Sequence, residues 1–338
     1  EQVREELTML SAKKVKEIRL LDRSFNLPPT RAVKLLQLFR EEFPELNFHL
    51  EIHPEFLNSE LCEELKKANF QQLHLEAGIQ SFDQLVLNAC GRGGNTDKAR
   101  EGLIFLASCK NFDTHADLLA GLPEQNWQTL LNDIKSMLEI APAEIQLEIL
   151  KVLPGTELRA QAEELKIRYN PETPYEVLQT ADLSVEELYK AAILSRMLDL
   201  FYNQKYLQEI FRKLAQNNED FVEDFFAYLL EKDFTASFTA SLRKRFLLLA
   251  EYIKKHCQEE GFSLAIQWLK AGLSTSDLPF YELEKLDALP CGFKLIEGQD
   301  LVKSKKNTRL WLLKNEDTAY VFAFNRAISM QFPCAMWI

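Results

Sequence analysis

Four of the five histidines in this 338-residue sequence fall in three short apolar segments, each with an acidic residue two positions further on. The three pairs are His49 with Glu51, His74 with Glu76, and His115 with Asp117, and His53 follows the first pair. A fourth apolar segment carries Gln146 and Glu148 at the same spacing. Imidazoles and carboxylates are the side chains that move protons, bind metal ions and hydrogen-bond polar ligands. The pattern therefore predicts a polar functional site built on apolar strands.

Five apolar runs are candidates for those strands, and they occupy residues 17–22, 48–53, 73–78, 114–123 and 145–154. The segments between them have the apolar spacing of amphipathic helices. Strands that alternate with helices indicate βα units and a parallel sheet or barrel. Because parallel crossovers are short and right-handed, we expect the strands to lie side by side in chain order.

Side chains alternate along a strand, so all of these polar residues fall on the face opposite the apolar residues. The apolar face must pack on helices, and the polar face then points into a barrel interior or a cleft. A network of hydrogen bonds among buried polar groups is one explanation, but unpaired buried carboxylates are costly. A wet, ligand-filled interior explains the whole set better. Ligands of such folds bind at the carboxyl ends of the strands, where the sequence places Asp22, Glu51, Gly78, Gln80, Asp117 and Gly121.

The sequence after the last run changes in character. We predict a first domain over residues 1–160, a linker over 161–182, and a mostly helical domain over 183–338 that ends in short strands from Cys291 onward. A hairpin is expected with its turn at Asn315–Asp317. The aromatic residues of 221–228 have helical spacing and predict a helix–helix core rather than a ligand cage.

Composition excludes several functions. The net charge of −11 and the pI near 5.2 argue against a general nucleic-acid or anionic-membrane binder. No apolar run approaches the roughly 20 residues of a membrane span, so we expect a cytoplasmic protein. The six cysteines lack metal-ligand spacing and are expected to be reduced thiols.

The motifs "LEIHP", "LEAGIQSF" with an arginine shortly after it, "DLLAGLP" and "LKVLPGTEL" occur in the order found in radical S-adenosylmethionine (SAM) enzymes. The chain resembles the oxygen-independent coproporphyrinogen oxidase branch, and more closely the cobalamin-binding radical SAM proteins with a helical C-terminal domain of unknown function. In those proteins "LLDRSFN" replaces the usual Gly-Gly-Glu motif. The resemblance implies an α/β fold, a partial (β/α)6 barrel whose first strand is missing here, followed by a mostly α-helical domain with a short β-hairpin region.

The resemblance also implies which residues hold SAM. Glu51, Gln80, Arg92 and Asp117 match SAM-binding positions of the coproporphyrinogen oxidase branch, and Gly78 leaves room for the ligand. Carboxylates can accept hydrogen bonds from the ribose or the methionyl ammonium, and Arg92 can pair with the methionyl carboxylate. Asp22, Arg23 and Asn26 occupy the methionyl-binding position of the second strand. No catalytic residue is assigned.

The chain departs from the family in one respect. Members hold a [4Fe–4S] cluster on a Cys-x3-Cys-x2-Cys loop after strand one, and this sequence contains no such triplet. We expect strand one, the cysteine loop and any cobalamin domain to lie upstream, with loss of the cluster as the alternative. The parent protein would cleave SAM reductively, with cobalamin-assisted methyl transfer as one possible use. This chain alone would be inactive and bind neither cofactor nor metal, and its exposed second-strand edge would favour self-association.

Two other interpretations stay open. A metal-dependent hydrolase on a β/α barrel would use His49, Glu51, His53, His74, Glu76, His115 and Asp117 as ligands. A non-catalytic binding module would instead recruit a partner through the helical half.

Overall fold

The structure, a computed structural model, describes residues 1–288, 292–295, 308–325 and 330–337. Contacts divide the chain into two compact units, one of Glu1–Asn203 with Asn218–Phe238 and one of Gln204–Asn217 with Thr239–Ile338. The division into domains at residues 160 and 183 stays a prediction.

A five-stranded parallel sheet is the centre of the first unit, and its strands follow chain order from one edge to the other. They are β1 (Glu17–Arg19), β2 (Asn47–Ile52), β3 (Leu73–Gln80), β4 (Asp113–Ala120) and β5 (Glu144–Ile149). The predicted order is confirmed. The first strand is shorter than its apolar run, because after Leu20 donates to the His49 carbonyl the chain forms a turn, and the next backbone bond to β2 is from Phe25 to the Glu51 carbonyl.

The helices of this unit connect the strands and extend beyond the last of them. They are α1 (Gln2–Ala12), α2 (Pro29–Glu42), α3 (Ser59–Lys66), α4 (Gln84–Ala89), α5 (Thr96–Ser108), α6 (Trp127–Ile140), α7 (Glu157–Ala160), α8 (Val185–Met197) and α10 (Phe221–Glu231). A 3₁₀ turn covers Pro54–Phe56, and a π-helical segment covers Leu198–Tyr202.

Local sequence explains where several of these helices begin. The side chains of Asn58, Asn95 and Asn126 accept hydrogen bonds from the backbone N–H three residues further on. Ser184 and Glu187 form the capping box that opens α8. Each cap satisfies an N–H that the helix itself leaves unpaired.

The core of the unit lies between the apolar face of the sheet and the helices. Phe48, Leu50, Leu75, Ala116 and Leu118 are at most 1% exposed. The Phe48 ring stacks on Phe39 of α2 with centroids 3.8 Å apart. At Gly102 of α5, a Cβ atom would lie 2.2 Å from the Pro54 carbonyl oxygen, so only glycine allows this approach of the helix. The alternating apolar pattern is thus used to bury one face of every central strand.

Beyond β5, residues 168–179 form a small antiparallel pair, β6 (Arg168–Tyr169) and β7 (Val177–Gln179). The aromatic residues of α10 are buried, and Phe225 packs edge-on against Phe201 at 5.0 Å. Phe226 also lies 6.0 Å from the Trp127 ring of α6. The predicted helix–helix core is confirmed.

The second unit combines helices with an antiparallel sheet. Its helices are α9 (Gln208–Asn217), α11 (Leu242–His256) and α12 (Gly261–Lys270), with 3₁₀ turns at Gln258–Glu260 and Thr275–Asp277. Its strands are β8 (Glu284–Leu286), β9 (Phe293–Leu295), β10 (Thr308–Lys314), β11 (Ala319–Asn325) and β12 (Met330–Trp337), in the order β8-β10-β11-β12-β9.

The hairpin predicted near Asn315 is confirmed within this sheet. Strands β10 and β11 pair antiparallel, and the Asn315 side chain accepts from the N–H groups of Asp317 and Thr318. The predicted start of the tail, Cys291, lies outside the described residues. No helix in the described part of the chain combines the length and the apolar character that crossing a membrane requires.

Candidate functional site

The polar face of the parallel sheet brings the predicted polar residues together. Along β3 burial alternates at every position, with the apolar residues buried and His74, Glu76, Gly78 and Gln80 half-buried. The same alternation runs along β4 from Thr114 to Ala120. The predicted division of each strand into an apolar and a polar face is therefore present in the structure.

At the carboxyl ends of β3 and β4, Gly78 pairs in register with Asp117. A Cβ atom at Gly78 would lie 2.6 Å from Gln80 Nε2 and 3.9 Å from Asp117 Oδ2. Gln80 has a positive φ of 70° at a register shift between β3 and β4, which turns its side chain back over Gly78. Because residue 78 has no side chain, the Gln80 amide occupies the space beside its Cα, and the Asp117 carboxylate borders that space, which we call the Gly78 recess.

Arg92 closes this recess from the loop between α4 and α5. Its guanidinium donates to the Gly78 carbonyl oxygen over 2.7 Å. Burial lowers the pKa of Arg92 below its usual value, against the attraction of neighbouring Cys90 and Asp117. The guanidinium is nevertheless a cation, so a partly desolvated positive charge lies within reach of the Asp117 carboxylate.

His53, just after β2, belongs to the same end of the sheet. Its Nδ1 atom is buried and has no hydrogen-bond partner among the described residues. Burial, followed by the charge of Arg92, lowers the pKa of His53 and keeps the ring neutral. A cavity of about 20 Å³ adjoins His53, Gly78 and Arg92.

The loop after β1 carries the three remaining predicted SAM residues, and the structure uses them differently. Asp22 forms an ion pair with Arg31 over 2.9 Å, and Arg23 is exposed. Asn26 is 1% exposed; its amide donates to the His53 carbonyl over 2.8 Å and accepts from the His53 N–H over 2.9 Å. Asn26 therefore anchors this loop to the end of β2, and a direct contact of Asn26 with SAM stays a prediction.

Glu51 lies half-buried on β2, in register with Glu76 of β3. It shares the polar face with Gly78, Gln80 and Asp117. The structure thus gathers Glu51, Gly78, Gln80, Arg92 and Asp117 at one end of neighbouring strands. Their roles in binding SAM remain predictions.

The amino-terminal half of the same face carries a row of histidines. His49, His74 and His115 lie on β2, β3 and β4, with ring centroids 4.6 Å apart for the first pair and 6.0 Å for the second. His49 Nε2 lies 2.7 Å from Glu76 Oε2. His115 lies between two carboxylates, with Nε2 3.1 Å from Asp117 Oδ1 and Nδ1 3.8 Å from Glu144 Oε2.

The neighbours of these rings shift their pKa values in opposite directions. Burial lowers the pKa of His74, and the charges of His49 and His115 lower it further. Burial also disfavours the charged form of His115, but Asp117, Glu144 and Glu76 outweigh it and raise the pKa of His115. The row therefore places a ring whose pKa is lowered beside one whose pKa is raised.

A cavity of about 640 Å³ covers this amino-terminal half. It is lined by polar side chains of all five strands, among them Arg19, His49, His74, His115 and Gln146. The large cavity therefore lies at the end of the strands opposite to the predicted SAM residues. SAM is far larger than the small cavity at Gly78, so most of a bound nucleoside would lie outside it, over the carboxyl ends of the strands.

Two acidic residues with clear structural positions were missed by the sequence analysis. Glu144 opens β5 and faces His115; extending the Gln146–Glu148 alternation by one step would have found it. Asp133 of α6 is 2% exposed, accepts from the Ser81 hydroxyl and the Phe82 N–H, and burial raises its pKa to about 6. Asp133 stabilises the turn after β3 through these two hydrogen bonds, and no pattern in the sequence predicts this role.

The two family cofactors fit the chain differently. The recess at Gly78, the Arg92 guanidinium and the buried Asp117 carboxylate form a donor and acceptor set that suits an amino acid joined to a nucleoside. The cysteines do not fit an iron–sulfur cluster, because no three of them are spaced as a ligand loop. Burial also raises the pKa of the Cys90 thiol to about 11, which disfavours the thiolate that binds iron.

Comparison with known proteins gives two sequence matches and several weak structural ones. Residues 1–137 match the radical SAM superfamily, and residues 163–323 match the family described as protein of unknown function (DUF4080). No curated protein sequence matches the chain.

Three solved structures illustrate the structural likenesses. The radical SAM methyltransferase TsrM from Kitasatospora setae, solved with cobalamin and a [4Fe–4S] cluster, has a TM-score of 0.42 at 15% identity, covering 53% of this chain and 37% of its own. Coproporphyrinogen III oxidase (HemN) from Escherichia coli, a radical SAM enzyme, has a TM-score of 0.33 at 13% identity, and the match covers 54% of this chain and 63% of its own. The cobalamin-dependent SAM radical enzyme OxsB has a TM-score of 0.41 at 11% identity, and the match covers 79% of this chain and 49% of its own.

These structural scores are too low to carry an argument. The chain spans less than two thirds of the length of each of the three structures. The assignment rests on the two sequence matches together with the parallel α/β sheet. Residues 1–137 of this chain are a radical SAM domain, and residues 163–323 are a domain of the DUF4080 family.

Proposed function

We propose that the carboxyl ends of β2, β3 and β4 bind SAM and that the chain is the SAM-binding part of a radical SAM enzyme. The recess at Gly78, bounded by Gln80, Arg92 and Asp117, is the observation that supports this most directly. When bound, SAM would be the source of the radical chemistry of the superfamily.

Each residue around the recess has a physical reason for its role. Gly78 has no side chain, so a ligand that displaces the Gln80 amide can approach the backbone of β3. Arg92 offers a planar set of donors to the methionyl carboxylate. Asp117 and Glu51 accept hydrogen bonds from the ammonium or the ribose hydroxyls, and Gln80 both donates and accepts.

Reductive cleavage of SAM is proposed for the whole protein and not for these 338 residues. Cleavage needs a cluster held by cysteines at the loop spacing, and that spacing does not occur in this sequence. The sequence alone led us to expect no bound cofactor in this chain; with the residues around Gly78 in place, we propose instead that the chain binds SAM weakly and leaves it intact. Use of cobalamin and cytoplasmic localisation are part of the same proposal for the whole protein.

Calorimetric titration of the chain with SAM tests the proposal. We expect one site, with a Kd of roughly 10 µM to 1 mM, that Arg92→Ala weakens at least about tenfold, because a charge-assisted hydrogen bond contributes about 1.5–3 kcal/mol. Arg100→Ala is the matched control, since Arg100 lies on α5 and pairs with Glu139 at the surface. Absence of SAM binding, or equal binding by the two variants, would contradict the proposal and favour a module that recruits another partner.

A further inference from the structure

The amino-terminal half of the polar face contains a set of groups that SAM binding does not use. His74, His115 and Glu144 lie on the neighbouring strands β3, β4 and β5, and each offers one ligand atom within 4.8 Å of the others. The Cα register places His74 opposite Asp113, and His115 opposite both Glu76 and Glu144. Three strands of a rigid sheet, rather than a loop, therefore bring the three groups together.

The distances are close to those of a bound ion. Metal–ligand bonds of about 2.1 Å place the donors of a tetrahedral site about 3.4 Å apart. His115 Nδ1 and Glu144 Oε2 are 3.8 Å apart. The Glu144 side chain is half exposed, so a rotation of its carboxylate can close the remaining gap.

Neighbouring carboxylates are placed to orient the imidazoles. With Nδ1 of His115 turned toward Glu144, Nε2 lies 3.1 Å from Asp117 Oδ1. A carboxylate beside the second ring nitrogen is the usual support of a metal-bound histidine, because it fixes the ring orientation and the tautomer. His49, which stacks beside His74, is held in the same way by Glu76 at 2.7 Å.

The surroundings also suit a cation with free coordination positions. The cavity of about 640 Å³ is lined by all three groups and by Glu76 and Asp113, so its charge is mostly acidic. Two imidazoles and one carboxylate leave at least one position of a tetrahedral ion open to that cavity. A site with an open position can polarise a ligand or a bound water molecule.

We propose that His74, His115 and Glu144 form a binding site for a divalent first-row transition ion, with Zn²⁺ and Fe²⁺ as the ions that take this donor set. Asp117 is a positioning residue for His115, and Glu76 is one for the adjacent His49. The site differs from the ligand set of the hydrolase interpretation, because it includes Glu144 and keeps only His74 and His115 of that set as ligands. Its three ligands take no part in the proposed SAM site at the other end of the strands, and Asp117 is the residue that both sites would use.

Metal titration of the chelator-treated chain tests this site. Co²⁺ is used as the spectroscopic probe, and Zn²⁺, Fe²⁺ and Mn²⁺ compete for the same site in separate anaerobic titrations. We expect one Co²⁺ per chain, visible absorption bands of an ordered nitrogen and oxygen site, and displacement by Zn²⁺ or Fe²⁺ more readily than by Mn²⁺.

Three variants locate the ion. Glu144→Gln and His74→Asn should each weaken Co²⁺ binding at least about tenfold, whereas His53→Asn should change it less than about twofold. Glu144→Gln alters a half-exposed side chain and should leave the circular dichroism spectrum unchanged, so its effect cannot come from unfolding. Asp117→Asn should shift the Co²⁺ bands, which a purely structural role would not do.

The proposal is overturned if Co²⁺ does not bind stoichiometrically, or if Glu144→Gln leaves the affinity unchanged. Loss of binding in His53→Asn with retention in Glu144→Gln would move the ion to the other end of the sheet and also overturn it. SAM titration of the same Glu144→Gln protein should give the wild-type affinity. Failure of metal binding and failure of SAM binding are therefore separate results.

Discussion

The two faces of the five-stranded sheet differ in what covers them. On the apolar face, Phe48, Leu75 and Leu118 are packed between strands and helices with almost no exposure. On the other face, His74, Glu76 and His115 are half-buried around a polar cavity. Burial of apolar side chains is the main source of folding free energy. Residues that stabilise the fold and residues with ligand chemistry thus alternate along the same strands and point to opposite faces of the sheet. We therefore expect that substitutions on one face leave the property of the other face unchanged.

The polar face itself divides along the strands. Its carboxyl end has a glycine recess with a guanidinium and an amide, and its amino end has imidazoles with carboxylates. Asp117 lies next to both sets, because it is in register with Gly78 of β3 and its Oδ1 atom lies 3.1 Å from His115 Nε2. The two proposed ligands therefore share a single residue, and variants there test both proposals.

The largest expected effect compares neighbouring residues of β3 that lie on opposite faces. Leu75→Ala should lower the free energy of unfolding by about 2–5 kcal/mol, because it leaves a cavity in the core. His74→Ala should change it by less than about 1 kcal/mol. Guanidinium unfolding of both variants, followed by circular dichroism, measures the difference. Equal losses would mean that the polar face also carries the folding free energy.

A second effect concerns Asp133, a carboxylate of α6 that is buried against the turn after β3. Its pKa in the folded chain is about 6, above the usual value of 3.8, so the folded state binds the proton more tightly than the unfolded state. The free energy of unfolding should therefore fall as pH rises from about 4 to about 6, by roughly 3 kcal/mol for two pKa units.

Asp133→Asn should remove this part of the pH dependence. The difference between wild type and variant, measured by urea unfolding at several pH values, isolates it from other titrating groups. Asp113→Asn is the control, because Asp113 is exposed at the start of β4. A pH-independent difference between wild type and Asp133→Asn would show that the carboxyl does not titrate in this range.

The third prediction uses the residue shared by the two ends. Asp117→Asn should weaken SAM binding and Co²⁺ binding by roughly tenfold each, about 1.4 kcal/mol, because both ligands lose a negative charge nearby. The melting temperature should move by no more than about 4 °C. Asp113→Asn, on the same face of the same strand, should change SAM affinity less than about twofold. If Asp117→Asn weakened the binding of only one ligand, the proposal that both sites use Asp117 would be contradicted.

The smallest expected effect concerns the edge of the sheet. Strand β1 lies at one edge, and its unpaired backbone groups can pair with a second chain. We expect weak self-association that rises with concentration. Arg19→Pro should reduce it, because the N–H of Arg19 points away from β2 toward the free edge and proline removes this donor. The pairing of β1 with β2 uses the N–H of Leu20 and is not affected. Light scattering over a concentration series measures this. A monomer at every concentration would contradict the prediction.

Much of this fold was predictable because its signals are local. The alternation in "LHLEAG" and the helical spacing between the runs predicted five parallel strands in chain order, which the structure confirms. The candidate site was less predictable. Nothing near Asn26 in the sequence indicates that its amide bonds to His53, and the buried role of Asp133 depends on a turn 51 and 52 residues away.

The sequence by itself determined which residues share a face, because that depends only on the two-residue period of a strand. It also determined the chemical character of that face and the family motifs it carries. Only the tertiary structure decided which residue of one strand lies opposite which residue of the next strand. This register depends on how helices and turns pack across the whole sheet. That register sets Gly78 beside Asp117 and His115 beside Glu144, and so keeps the residues of the two proposed sites apart on one polar face.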